Sequence, residues 1–208
     1  MDKYVLIVAG GKGLRMGGDL PKQFIPMRGK PLLMHTLEAF HRWDASARII
    51  LVLPEDNQPY WNMLCKEIGC KVPHAIVKGG DTRFFSVKNG LDWLLAERRR
   101  KGEEDSGLSL VAVHDGVRPF VSPEVVEACF DKAAVTGAVI PVVPMIDSLR
   151  ETDEKGSHPV DRSRYMAVQT PQVFLLELLT KAYEQPYSSL FTDDASVVEA
   201  MGHAIDTV

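Results

Sequence analysis

Tyr4-Val5-Leu6-Ile7-Val8-Ala9, followed by Gly10-Gly11-Lys12-Gly13-Leu14-Arg15-Met16-Gly17, decides how this chain folds. A continuous apolar, β-favouring run predicts a strand buried on both faces, and the glycines predict a loop at its carboxyl end. The pattern recurs outward. Arg48-Ile49-Ile50-Leu51-Val52-Leu53 and Ser109-Leu110-Val111-Ala112-Val113-His114 read as further buried strands, ended by Pro54 and Asp115. Ala138-Val139-Ile140-Pro141-Val142-Val143 reads as another, and a short strand is expected at about 72–77. Helical spacing separates them. Pro31 suits a first turn before the stripe Leu33, Leu37 and Phe40, and a weaker helix is expected at about 56–68. Phe84, Val87, Leu91, Leu94 and Leu95 mark a helix from Arg83 to about Arg100, which runs out into a solvated linker at 101–107. Ser122 and Pro123 open a helix as N-cap and N1, with Val125, Val126, Cys129, Phe130 and Ala133 facing inward. Helices near 174–184 and 193–202 close the chain, the second capped by Thr192 with Asp193 and Asp194 in its positive first turn. Alternating strand and helix predicts an α/β fold: a mostly parallel sheet with helices on both faces and ligand at the carboxyl ends of the strands. Residues 144–168 are polar and lack helical period, so they read as an extended arm that binds something.

The 208 residues suffice for one sizeable core, and 45% apolar with 25% charged residues is ordinary globular composition. Twenty-four basic against 28 acidic residues give a net charge of −4, which disfavours a nucleic-acid partner but not a small anion held by a local basic cluster. Cys65, Cys70 and Cys129 form no C-x-x-C element and read as buried or indifferent thiols. No histidine spacing suggests a zinc hydrolase, and no apolar run approaches the roughly 18 residues of a membrane span. Met1-Asp2-Lys3 leads straight into the first strand without a secretory cleavage pattern, so a soluble cytoplasmic protein with no membrane partner is expected.

Glycines directly after a buried strand suit backbone N–H groups closing on phosphates. Two common phosphate loops fail here. No Gly-Lys is followed by Ser or Thr, and Gly11-Lys12-Gly13-Leu14-Arg15-Met16 lacks the last glycine of G-x-G-x-x-G. What remains is a glycine loop with two cations, Arg15 and Lys22. They are either solvated surface charges or clamps on a triphosphate.

Taken with Pro31-Leu32-Leu33-Met34-His35-Thr36-Leu37, this loop resembles the signature of nucleotidyltransferases that activate polyol phosphates, in particular the 2-C-methyl-D-erythritol 4-phosphate cytidylyltransferase family. Gly79-Gly80-Asp81-Thr82-Arg83-Phe84-Phe85-Ser86-Val87 is similar to its G-G-x-x-R-x-x-S-V element, and His114-Asp115-Gly116-Val117-Arg118-Pro119 to its H-D-x-x-R-P element. Asp161-Arg162, Gln169-Thr170-Pro171-Gln172-Val173-Phe174 and Thr192-Asp193-Asp194-Ala195-Ser196 match later elements in order. Gly116 stands where the family usually carries Ala, and the family's N-I-K-type segment, whose lysine contacts the polyol phosphate, would follow Val208.

The resemblance implies a single Rossmann-like nucleotidyltransferase domain over 1–208 with a dimerising β-arm at about 144–168. It implies transfer of CMP from CTP to 2-C-methyl-D-erythritol 4-phosphate with release of pyrophosphate, in isoprenoid precursor synthesis. Arg15, Lys22 and Arg162 would be catalytic, and Ala9, Gly10, Gly11, Gly13, Gly80, Asp81, Ser86 and Gly116 would hold the nucleotide. Arg118, Ser148, Thr170 and Thr192 would meet the polyol phosphate, and Asp115 would hold Mg²⁺, unless it merely caps its loop. A homodimer is implied, each arm completing the other subunit's site, whereas Arg83 is expected to tie its loop to the sheet. Two rivals are ribitol-5-phosphate cytidylyltransferase and a non-catalytic nucleotide-binding module. Asp161-Arg162 and the 144–150 stretch weigh against the first, and the Arg15–Lys22 pair against the second.

Overall fold

The computed structural model of the protein describes residues 1–10, 20–103, 107–154 and 156–208. In chain order its elements are β1 (Asp2–Val8), β2 (Pro26–Met27), β3 (Lys30–Pro31), α1 (Leu32–Trp43), β4 (Arg48–Leu53), α2 (Gln58–Ile68), β5 (His74–Lys78), α3 (Arg83–Lys101) and β6 (Ser109–Asp115). Then follow α4 (Pro123–Thr136), β7 (Ala138–Ile140), β8 (Val142–Pro144), β9 (Arg150–Asp153), β10 (Gly156–Pro159), β11 (Met166–Val168), β12 (Gln172–Leu175), α5 (Leu176–Ala182), α6 (Asp194–Glu199) and β13 (Asp206–Thr207). Seven strands form one sheet in the order β13-β7-β12-β6-β1-β4-β5. Within this sheet, as far as the described residues go, β12 alone runs antiparallel to its neighbours.

The central strand shows why its sequence does not alternate. Val5 and Ile7 face a core built with α1, α2 and α4, while Tyr4 and Leu6 face a second core built with α3, α5 and α6. All four are fully buried. Burial of each such aliphatic side chain contributes about 1.5–3 kcal/mol, so a polar residue on either face is costly.

The structure changes several details of the expected layout. The run 138–143 is two strands, because Pro141 has no N–H for the ladder. β7 stays in the main sheet, while β8 turns out to pair antiparallel with β11. The helix expected from about 174 begins at Leu176, and the buried residues Gln172, Val173 and Phe174 form β12. The last helix spans only Asp194–Glu199, and its N-cap is Asp193, not Thr192. Asp193 accepts from the Ser196 N–H while Ser196 Oγ accepts from the Asp193 N–H, a reciprocal capping box. Val125 lies on the outer side of α4, 38% exposed. Residues 55–57 form a 3-10 turn before α2, and β13, unforeseen, extends the edge. The arm is a hairpin of β9 and β10, pinned where Arg150 donates to Ser157 Oγ (2.9 Å) and the Ser157 carbonyl (2.6 Å). Among the described residues no helix is long and apolar enough to cross a membrane.

His114, fully buried at the end of β6, fixes the turn that follows it. Its Nε2 lies 3.0 Å from the Arg118 carbonyl, which can only accept, so Nε2 carries the proton and Nδ1 has no partner among the described residues. Burial pushes the imidazole pKa down to about 4. The unfolded chain therefore binds a proton near pH 6.5 that the folded chain refuses until about pH 4, so stability falls as pH drops through that window. Between about pH 7 and pH 4.5, wild type should lose about 2 kcal/mol more than His114→Gln in urea unfolding. Parallel pH profiles for the two proteins would mean that the imidazole titrates freely.

Candidate active site

The carboxyl ends of β1, β4, β5 and β6 meet in one place. Ala9 donates its N–H to the Val52 carbonyl (3.0 Å), Gly79 to Leu53 (3.0 Å) and Gly116 to Val8 (2.9 Å). These bonds stitch the loops after adjacent strands together. A Cβ on Gly116 would lie 2.9 Å from the Ala9 Cβ and 3.0 Å from Leu33, so the glycine lets the two loops touch. At Gly80 a Cβ would lie 2.4 Å from the Phe85 Cβ and 2.8 Å from its carbonyl carbon, a clash with the α3 backbone itself. Ser86, buried on the first turn of α3, accepts from the Gly80 N–H (3.0 Å) and donates to the Thr82 carbonyl (2.9 Å). Its hydroxyl closes the Gly79-Gly80 loop from beneath. Asp81 is exposed at the loop's crest.

Asp115 stands at the end of β6. Its Oδ2 accepts from Arg118 Nε (2.8 Å), and its Oδ1 lies 3.7 Å from Arg83 Nε. Arg118 also donates to Gln169 Oε1 (2.9 Å), leaving the rest of its guanidinium for an incoming anion. Thr170 follows Gln169, and its buried Oγ1 has no hydrogen-bond partner among the described residues. A buried hydroxyl left unpaired beside a cation is what a ligand oxygen would complete. Lys22 opens a 3-10 turn anchored by Phe24, whose ring lies 5.0 Å from Tyr60 edge-on and 6.4 Å from Trp61.

Gly11, Gly13 and Arg15 lie outside the described residues. Thr192 is exposed just before the α6 cap. Ser148 and Arg162 are exposed on the arm, and Arg162 Nη1 donates to the Ile146 carbonyl of the same arm. Within one chain the arm residues are thus held among themselves.

A residue the sequence reading placed only in a helix first turn organises this edge. Asp194 is fully buried and accepts from Arg83 Nη2 (2.7 Å) and from the Tyr183 hydroxyl (2.6 Å). Burial opposes the Arg83 charge, but the carboxylates of Asp194 and Asp115 hold its pKa above the ordinary guanidinium range. Gln172 on β12 adds a second tie, donating to Asp193 Oδ2 (2.8 Å) and accepting from the Ala195 N–H (3.0 Å). The available signal was the pair Asp193-Asp194 before the apolar run Ala195–Val198, where one carboxylate must face inward. Asp194→Ala strands the Arg83 charge and the Tyr183 hydroxyl, and should cost about 3–5 kcal/mol in urea denaturation. A loss below about 1 kcal/mol would show that Arg83 finds equal partners elsewhere.

Among the described residues no three His, Cys, Asp or Glu side chains cluster as an all-protein metal cage. Mg²⁺ asks for less, one or two carboxylates plus oxygens from a phosphate ligand. Asp115 Oδ1, away from the Arg118 bond, fits that role.

Comparison with known proteins places the chain by family and by fold. The family model described as IspD, 2-C-methyl-D-erythritol 4-phosphate cytidylyltransferase, matches residues 4–208. The protein of that name from Bacteroides fragilis is 55% identical over 202 residues, covering 97% of this chain and 87% of the relative. Its Porphyromonas gingivalis counterpart is 53% identical over 198 residues, covering 95% and 83%. Among solved structures, the 4-diphosphocytidyl-2C-methyl-D-erythritol synthase of Anaerococcus prevotii superposes with TM-score 0.77 at 26% identity, covering all of this chain and 86% of that one. The Thermus thermophilus cytidylyltransferase does so with TM-score 0.71 at 30% identity, covering all of this chain and 88% of that one. Matched over nearly its whole length by the family model and by relatives of that name, the chain belongs to the 2-C-methyl-D-erythritol 4-phosphate cytidylyltransferase family.

Proposed function

We propose that this chain transfers CMP from CTP to 2-C-methyl-D-erythritol 4-phosphate and releases pyrophosphate, a step of isoprenoid precursor synthesis. The observation that carries this reading is the near full-length match to relatives of that name, with the loops that begin at Ala9, Gly79 and Gly116 stitched to one sheet edge. The 4-phosphate oxygen attacks the α-phosphorus in line, so two anions must be brought together. Positioning and charge neutralisation therefore dominate the barrier. Arg15 and Lys22 hold the triphosphate and stabilise the departing pyrophosphate, Arg as a planar fork and Lys as a point charge. Backbone groups of Ala9, Gly10, Gly11, Gly13, Gly80, Asp81 and Gly116 line the nucleotide, and Ser86 keeps the Gly80 loop open for it. Arg118, Thr170 and Thr192 offer donors to the polyol phosphate. Asp115 would hold Mg²⁺, which when bound would neutralise phosphate charge.

Pyrophosphate release from CTP, assayed with methylerythritol phosphate and with ribitol 5-phosphate in turn, tests the reading. Turnover should need methylerythritol phosphate and Mg²⁺, and Arg15→Ala or Lys22→Ala should lower kcat by at least about 10²-fold. Preference for ribitol 5-phosphate, or undiminished turnover in either variant, would overturn the assignment.

The active protein is a homodimer by exchange of arms. Support comes from apolar surface around the arm: Phe120 and Ile146 are both 83% exposed, and Val143, Met166 and Val168 are exposed beside them. A cavity of about 850 Å³ opens among Val117, Phe120, Val142 and Val143. Such a face rarely stays uncovered on a monomer. If Ser148 and Arg162 of each arm serve the opposite site, mixing Arg162→Ala with Arg15→Ala subunits rebuilds one complete site in each mixed dimer. Activity should then rise above the sum of the parents. No gain, with exchange confirmed by mass, would place Arg162 in its own chain's site or in none.

A further inference from the structure

Two cysteines five positions apart are brought face to face by the way α2 ends. Gly69 adopts φ +77°, and the N–H groups of Gly69 (3.0 Å) and Cys70 (2.9 Å) both bond to the Cys65 carbonyl. This six-to-one closure sets the residue at the start of the last helical turn against the residue after Gly69, a pair that is frequently apolar where helices end this way. Here both are cysteine. With a Cα–N bond of about 1.5 Å and a Cα···O span of about 2.4 Å, the 2.9 Å hydrogen bond limits the Cα–Cα separation to about 6.8 Å, within disulfide range. The two thiols are near enough to interact directly, and both residues are partly exposed. Cys129 is fully buried beneath α4.

We propose that Cys65 and Cys70 form a thiol–disulfide site whose substrate is a low-molecular-weight disulfide, and that their bridge clamps the end of α2. Cys65 sits within the last helical turn, where burial and the neighbouring thiol push its pKa up, and Cys70, beyond the helix end, attacks first. The Cys70 thiolate breaks the S–S bond of the small disulfide, and one thiol leaves. Cys65 then gives up its proton and attacks the Cys70 sulfur, and the second thiol leaves. Two protein thiols are oxidised and one disulfide is reduced to two thiols. The end of α2 leads toward the start of β5, opposite the carboxyl edge that carries the active site, so the bridge forms without touching it.

Incubating the folded chain with oxidised glutathione, followed by acid quench, intact mass and non-reducing peptide mapping, tests this. Wild type should lose about 2 Da, with a single 65–70 link and no retained glutathione. Cys65→Ser, which keeps the attacking thiol but not the resolving one, should retain one glutathionyl group, and its reduced form should match wild-type turnover. A wild type that keeps glutathione, stays reduced or bridges through Cys129 would overturn the proposal.

Discussion

One ion pair holds the active edge together. Arg83 begins α3 directly after the Gly79-Gly80 loop, and it reaches across to a carboxylate that has lost all contact with water. Asp194 on α6 is tolerable in the core because Arg83 and Tyr183 occupy it from two sides. The same guanidinium approaches Asp115 on β6. A single side chain therefore sets the spacing of three loops that are far apart in sequence. Phe84, the next residue, stacks on Tyr183 (4.7 Å) and Phe191 (5.7 Å), so an aromatic cluster braces the ion pair from the protein side.

Two guanidinium groups, Arg83 and Arg118, stand at this edge, and each is matched by a carboxylate. Each is oriented by fixed oxygens: Arg83 by the Asp194 carboxylate, Arg118 by the Asp115 carboxylate and the neutral Gln169 amide. Charges fixed before a phosphate arrives need no reorganisation when it does, and that advantage grows as water is excluded.

The parts legible in the sequence were those governed by local rules. Buried strands, the helix from Arg83 and the helix opened by Ser122-Pro123 all follow from neighbouring residues, and the structure has them. What escaped was decided by distant partners. The direction of β12 depends on Val113 and Val139, which flank it, and nothing within 172–175 distinguishes a strand running up from one running down. The N-cap moved by one residue because Asp193 found both Ser196 and Gln172, and Asp194 became structural because Arg83 lay 111 positions away. The candidate nucleotide and phosphate residues were legible as types and as an order of motifs. Their division of labour was not, as Ser86 illustrates: its hydroxyl is committed to its own loop.

The reversed strand has a consequence for how this fold can change. Because β12 runs against β7, the chain leaves the sheet at Pro141 and re-enters at Gln169 on the same edge, with the Gln169 N–H bonded to the Pro141 carbonyl at 2.8 Å. Everything between these anchors is a closed excursion. Closure entropy grows only logarithmically with length, so doubling such an excursion costs about 0.6 kcal/mol. Insertions and deletions in the arm are thus nearly neutral for folding. Both of its roots nevertheless stand beside Arg118 and Thr170. Evolution can lengthen, shorten or recharge this one segment to suit a different polyol or a different partner, while the sheet, its two cores and the glycine loops stay as they are.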